Sequence, residues 1–160
     1  MSSPSRAFTI KASGLLSKLT TRVKVFTDIN STQDIALWDT GATACCISKE
    51  LAQTLELKPM GFSFIHTPSG VSRVKNYLIN IELPDNVIFK DIRVTESEIG
   101  LQKLGLLIGM NIISLGDFAV CNKGGKTSFT FRIPSQERVD FVTKERMRRL
   151  VGKPHGHGKK

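Results

Sequence analysis

Asp39, Thr40 and Gly41 stand in a row at the end of an apolar run, Ile35-Ala36-Leu37-Trp38. A strand that ends on a carboxylate, a hydroxyl and a glycine can present an acid on a tight turn. Such an acid can take a proton from water or hand one to a leaving group. The same tripeptide is also ordinary turn chemistry, with the aspartate capping backbone amides. Its setting favours the chemical reading, because a carboxylate delivered by a buried strand is costly unless it is used or paired. Ala42 is small and leaves room beside the turn. The segment occurs once in 160 residues. Hydrolysis by a water held between two carboxylates therefore requires a second chain.

The elements that must position this turn can be read from alternation and punctuation. Ala7–Lys11 alternates weakly, and Leu19–Phe26 clearly, with Thr21, Val23 and Val25 opposite Arg22 and Lys24. Thr27 to Ser31 is turn-rich and Asp34 to Asp39 is the strand that delivers the motif, so a hairpin ends at Asp39. Ser48 is an N-cap for a short helix through Leu55, with Leu51 and Leu55 on one face. Phe62–His66 and Val71–Leu83 are extended around a turn at Thr67-Pro68-Ser69-Gly70. Val87–Thr95 follows a second turn at Pro84-Asp85-Asn86. Leu106-Leu107-Ile108-Gly109 is a buried apolar run whose glycine suits packing beneath the turn at Asp39. Phe118–Cys121 and Thr127–Ile133 form a further hairpin. Phe141–Leu150 is a short basic helix.

Composition sets the frame. With 40% hydrophobic and 23% charged residues, the chain reads as an ordinary globular domain. No apolar run approaches the roughly 18 residues of a membrane span, and no secretory h-region follows the N-terminus. The expected setting is cytoplasmic, without a membrane partner. Cys45, Cys46 and Cys121 make a poor disulfide framework and offer no C-x-x-C, so reduced thiols and no metal are expected. The net charge of +9 sits mostly near the C-terminus. There Arg138, Lys144, Arg146, Arg148, Arg149, Lys153, Lys159 and Lys160 face only Asp140 and Glu145. The expected organisation is an N-terminal segment (1–18), one domain (19–135) and a basic, partly disordered tail (136–160).

The order Ala36-Leu37-Trp38-Asp39-Thr40-Gly41-Ala42, a hairpin tipped by Gly70, then Leu107-Ile108-Gly109-Met110-Asn111 resembles the retropepsin-like aspartic proteases. The stretch from Ile108 to Phe118 is most similar to their bacterial branch, and the resemblance runs from about Leu19 to Ile133. It implies a mostly β, single-domain acid protease fold: a closed β-barrel with a flap hairpin and one short helix, working as a homodimer. It implies that Asp39 is catalytic and that Thr40, Gly41, Ala42 and Gly109 support it. Thr40 would hydrogen-bond across to the other subunit, and Gly41 would admit the substrate backbone. His66, Thr67, Pro68, Ser69, Gly70 and Val71 would form the flap over a peptide or protein substrate. Two carboxylates sharing one water do not both ionise cheaply, aspartic proteases being the standard instance. One then takes the proton of the water while the other polarises the scissile carbonyl. No metal or organic cofactor is implied.

The chain also departs from the retroviral pattern. Thr43 stands where retroviral enzymes usually carry an acid, and Met110 where its arginine partner would be. Both partners change together, which points to different dimer contacts, with the hairpin Phe118–Ile133 in place of the retroviral terminal strands. Trp38 reads equally as a core aromatic or as a residue facing the other subunit. Two other functions are compatible with the sequence: a catalytically silent dimer that serves as a binding module, and nucleic-acid binding through the basic tail.

Overall fold

The structure, a computed structural model, describes residues 4–67 and 70–151. Pro68 and Ser69 of the expected flap tip, and the tail from residue 152 on, lie outside the described residues.

Strand β1 (Arg6–Lys11) leads to β2 (Thr20–Phe26) and β3 (Ser31–Trp38), which pair as an antiparallel hairpin. In β2 the expected alternation holds, with Thr21, Val23 and Val25 buried. A three-residue strand, β4 (Cys46–Ser48), runs into helix α1 (Lys49–Thr54). Ser48 caps this helix, its hydroxyl accepting from the Leu51 amide at 3.0 Å, while Leu51 and Ala52 pack inward. Strands β5 (Gly61–Thr67) and β6 (Gly70–Leu83) make the long hairpin. Strand β7 (Val87–Ser97) returns along β6. Then come β8 (Leu106–Ile108), helix α2 (Met110–Ile113), β9 (Asp117–Cys121), β10 (Ser128–Ile133) and helix α3 (Phe141–Val151).

Six strands close a barrel in the order β2-β3-β8-β4-β7-β6, with β6 pairing back onto β2 through Lys24–Glu82, Val25–Ile81 and Phe26–Asn80. Strand β5 lies outside the closure, hydrogen-bonded only to β6 among the described strands. The fold is therefore mostly β with a closed barrel, as expected. A separate sheet has the order β1-β10-β9. The segment before residue 19 thus contributes a strand whose Phe8 joins the core. Helix α3 is solvent-exposed along its whole length.

The core has two parts. Val25, Ala36, Ile47, Ile81, Val94, Leu106 and Ile108, all fully buried, fill the barrel. Rings from the smaller sheet close its end. Trp38 stacks on Phe118 (centroids 5.2 Å, interplanar angle 7°) and meets Phe8, Phe129 and Phe131 in tilted contacts. Each such pair contributes roughly 0.5–1.5 kcal/mol beyond its buried area. Trp38 is thus a core residue. Its indole Nε1 donates to the buried Thr21 hydroxyl at 3.0 Å. Thr21→Val keeps the volume but strands that donor, at a cost of about 1–3 kcal/mol. A lower urea midpoint at unchanged m-value is the expected measurement.

Asp117 ties the chain leaving β10 to β9. Its carboxylate accepts from the Ser135 hydroxyl, the Gln136 and Glu137 amides and the Arg132 guanidinium. The Ser135 hydroxyl, then the Gln136 amide and then Arg132 hold this carboxyl well below the usual carboxylate range. A carboxyl depressed in the folded state adds stability above its unfolded pKa of about 3.9 and loses it as pH falls toward the folded value. Wild-type protein should therefore lose stability below about pH 4 more steeply than Asp117→Asn. Parallel urea melts at neutral and acid pH measure that difference in slope.

Candidate active site

Asp39 lies one residue beyond β3, whose end is fixed by parallel pairing to β8: Ala36 with Leu106, Leu37 with Leu107, Trp38 with Ile108. The Asp39 amide continues that ladder, donating to the Ile108 carbonyl at 3.0 Å. The chain then turns. Ala42 N–H donates to the Asp39 carbonyl at 3.2 Å, and Gly41 N–H donates to Asp39 Oδ1 at 2.8 Å. An acceptor-only carboxylate is thus aimed by a backbone amide two residues on. Asp39 is half-buried, whereas Thr40 and Gly41 are exposed. A Cβ at Gly41 would stand 3.1 Å from Asp39 Oδ1, so glycine there keeps the acid unobstructed.

The far side of the turn hangs on β8 and α2. Met110 N–H donates to the Ala42 carbonyl at 2.8 Å and Asn111 N–H to the Thr43 carbonyl at 3.1 Å. Gly109 is buried directly against this loop, where a Cβ would lie 2.6 Å from the Ala44 carbonyl oxygen. The buried Cys45 thiol donates to Asn111 Oδ1 at 3.2 Å, and burial, the largest influence, pushes it up from its ordinary pKa. Burial, then the nearby Asp39 carboxylate, likewise raises the Cys46 thiol. Both therefore stay protonated at neutral pH. The structure brings Asp39, Thr40, Gly41 and Ala42 together on one turn and packs Gly109, between β8 and α2, against it. It places His66 on β5 and Gly70 and Val71 on β6.

A row of side chains that sequence reading did not single out links that turn to the β5–β6 hairpin. Leu37 opposes Leu107, Leu107 opposes Cys46, Cys46 opposes Thr95, and Thr95 opposes Asn76. Residues directly opposite each other share a face of the sheet. Their strand neighbours Ala36, Trp38, Leu106, Ile108, Ile47, Val94 and Tyr77 are buried within the barrel, so this row lines its outside. It begins two residues from Asp39 with two leucines and ends in polar groups. Thr95 and Ser63 hydroxyls both donate to Asn76 Oδ1 at 3.1 Å. Pairing of Gly61 with Asn76 and Ser63 with Val74 carries this face onto the hairpin, where Ser63, Ile65, Ser72 and Val74 continue it. The opposite face carries Phe62, Phe64, His66, Val71, Arg73 and Lys75, with the Arg73 guanidinium 3.7 Å from the Phe62 ring centre. His66 and Val71 are both exposed there. Gly70, paired with Thr67, has φ +124°, a conformation that L-residues rarely adopt. The only advance signal for the row is alternation along β3, β6 and β7, because its members Cys46 and Leu107 lie in the three-residue strands β4 and β8, too short to show a period.

The comparisons with known proteins agree with this architecture. Residues 25–114 match the family described as "gag-polyprotein putative aspartyl protease". A search of curated proteins finds no relative. Among solved structures, a retropepsin-like aspartic protease from Rickettsia conorii superposes with a TM-score of 0.53 at 15% identity, covering 83% of this chain and 98% of that one. That likeness speaks for the fold. EIAV protease, solved with the inhibitor HBY-793, gives 0.47 at 19% identity over 62% of this chain and 88% of its own. Simian foamy virus (mac) protease gives 0.42 at 19% identity over 59% and 92%. The chain belongs to the retropepsin-like aspartyl protease family.

Proposed function

We infer that the chain is an aspartic endopeptidase that acts as a homodimer, with one Asp39 from each subunit holding the attacking water. The observation that carries this reading is the Asp39 turn itself. A lone carboxylate is held half-exposed by the Ile108 carbonyl ladder and the Gly41 amide, and the chain supplies no second copy of the segment. In the pair, one carboxylate takes a proton from the water and the other, protonated, polarises the scissile carbonyl. The water attacks to give a gem-diol, and protonation of the leaving nitrogen completes the cleavage without an acyl-enzyme. The roles belong to the pair rather than to either chain.

Thr40 steadies the paired turns, Gly41 and Ala42 admit the substrate backbone, and Gly109 seats the turn. The hairpin from His66 to Val71 closes over the peptide. Leu37 and Leu107, the first members of the outer row, favour apolar side chains beside the scissile bond. Free cysteines at 45, 46 and 121 fit a reducing, cytoplasmic setting. A peptide library incubated with wild type and with Asp39→Asn tests the proposal. Cleavage by wild type alone supports it. Cleavage by neither protein from mildly acid to neutral pH returns the chain to the binding-module reading.

A further inference from the structure

We propose that helix α3 docks the protein on an anionic lipid membrane. The helix lies in the plane of the surface, its apolar stripe among the acyl chains and its basic flanks on the headgroup phosphates. This goes beyond the peptidase reading and does not depend on it. No helix among the described residues is long and apolar enough to cross a membrane. A helix that lies on one needs an apolar stripe and a basic face rather than a span.

The chain leaving β10 is clamped where the Ser135 hydroxyl and the Gln136 and Glu137 amides donate to Asp117. Past that clamp it projects α3 (Phe141–Val151) away from the core, with no residue of the helix buried. Its side-chain hydrogen bonds and ion pair run among residues 140–148. Asp140 starts the helix, accepting from the Val142 and Thr143 amides at 2.9 and 3.3 Å. A helix of about three turns is marginal in water by itself, and a surface that covers its apolar side stabilises it.

Thr143, Met147, Leu150 and Val151 follow the i, i+4, i+7, i+8 spacing of one helix face. The last three are left open to solvent, at 58%, 69% and 84% exposure. At 3.6 residues per turn, Arg146 borders this stripe on one side and Lys144 on the other. Long basic side chains so placed lay their stems along apolar surface and lift their charged heads to the phosphates. Both acids of the segment are engaged locally, Asp140 in the cap and Glu145 with Arg148 at 3.0 Å. Arg146 and Arg149 have no ion-pair partner among the described residues. The sequence continues with Lys153, Lys159 and Lys160.

Charge calls for an anionic partner, and the stripe decides which. Nucleic acid takes up basic residues through its phosphates but leaves Met147, Leu150 and Val151 in water. A groove on another protein takes large anchors, aromatic ones prominent among them. The only aromatic of α3, Phe141, lies off the stripe, its ring centre 5.9 Å from the Lys144 ammonium. An anionic bilayer meets both needs at once. A short apolar element alone holds weakly, and a basic patch beside it makes the attachment firm. Each Lys or Arg near an anionic surface strengthens binding about fivefold. The cytoplasmic leaflet is the anionic one, which agrees with the setting inferred from the free cysteines.

Co-sedimentation of the full chain with lipid vesicles tests the docking. Wild type should bind mixed phosphatidylcholine–phosphatidylglycerol vesicles at least about tenfold more tightly than phosphatidylcholine alone. Met147→Ser with Leu150→Ser keeps every charge and should weaken that binding at least about tenfold, by removing the inserted apolar groups. Arg146→Glu with Arg149→Glu should weaken it at least about twentyfold. All four side chains are exposed, so thermal unfolding should be unchanged in both variants. Asp39→Asn should bind vesicles as wild type does. Equal binding to both vesicle types, or to neither, overturns the proposal. So does binding that ignores the double serine variant and is matched by a single-stranded oligonucleotide at the same salt, because phosphate alone then suffices. Peptide cleavage without vesicle binding overturns the membrane docking and leaves the peptidase reading intact. Vesicle binding that shows both variant losses, without any cleavage, supports the docking and removes the peptidase.

Discussion

Asp39→Asn is expected to lower kcat/KM on any cleaved peptide by at least about a thousandfold, the scale set by removing a group that transfers protons in the transition state. The substitution is chosen because it leaves the turn alone. Oδ1 of asparagine still accepts the Gly41 amide, and the Ile108 and Ala42 backbone bonds do not involve the side chain. The variant should therefore unfold close to wild type, within the roughly ±0.5 kcal/mol typical of a change that breaks no buried contact. What it loses is ionisable acid. Because each chain supplies one carboxylate, the loss should spread to wild-type chains through mixed dimers. With a ninefold excess of Asp39→Asn chain and free subunit exchange, about one wild-type chain in ten still pairs with its like. Activity per wild-type chain should then fall about tenfold. A titration of variant into a fixed amount of wild type, read as initial rate, checks this. Unchanged activity across it, with exchange verified by a tagged chain, would contradict the shared site.

Much of the scaffold was legible in the sequence because its signals are local. Thr21, Val23 and Val25 alternate with charged neighbours and are buried as that pattern demands. Ser48 begins α1 because its hydroxyl is the right distance from the Leu51 amide, which needs no tertiary information. The Asp39 turn announced itself by composition: an apolar strand, then an acid, a hydroxyl and a glycine. What could not be read was long-range. Three-residue strands such as β4 and β8 are too short to show a period. Their partners come from opposite ends of the domain, so neither the row from Leu37 to Asn76 nor its outward face could be assembled beforehand. The pairing of β1 with β10 spans most of the chain. Met110–Ile113 reads as a continuation of an apolar run, but backbone bonds from Ile112 and Ile113 to the Gly109 carbonyl, both 3.1 Å, wind it into α2. Trp38 gave no local sign of its direction; the aromatic residues of β1, β9 and β10 decide it.

The second large effect belongs to Gly109, where the reason for glycine is contact rather than backbone freedom. A methyl group there would stand 2.6 Å from the Ala44 carbonyl oxygen, 2.7 Å from its carbon and 2.9 Å from the Ala42 carbonyl oxygen. All three are backbone atoms of the loop that carries Asp39, so no rotamer change relieves the clash. Either the loop lifts away from β8 and α2, or α2 withdraws. Both break the bonds from Met110 and Asn111 to Ala42 and Thr43. Overpacking on this scale costs about 3 kcal/mol or more, which lowers Tm by roughly 6–12 °C in a domain of this size. The turn is also what aims the carboxylate, and a displacement near 1 Å can cost about a hundredfold in rate. Gly109→Ala should therefore lose activity even well below its own Tm. Gly100→Ala is the matched control. The atoms a methyl would meet there belong to the exposed Glu50 carboxylate, which can swing into solvent, so stability should change by less than about 0.5 kcal/mol. If the two alanine variants melt together, the Gly109 backbone contact is not what seats the turn. If Gly109→Ala melts early but keeps full activity at low temperature, the aim of Asp39 does not depend on that contact.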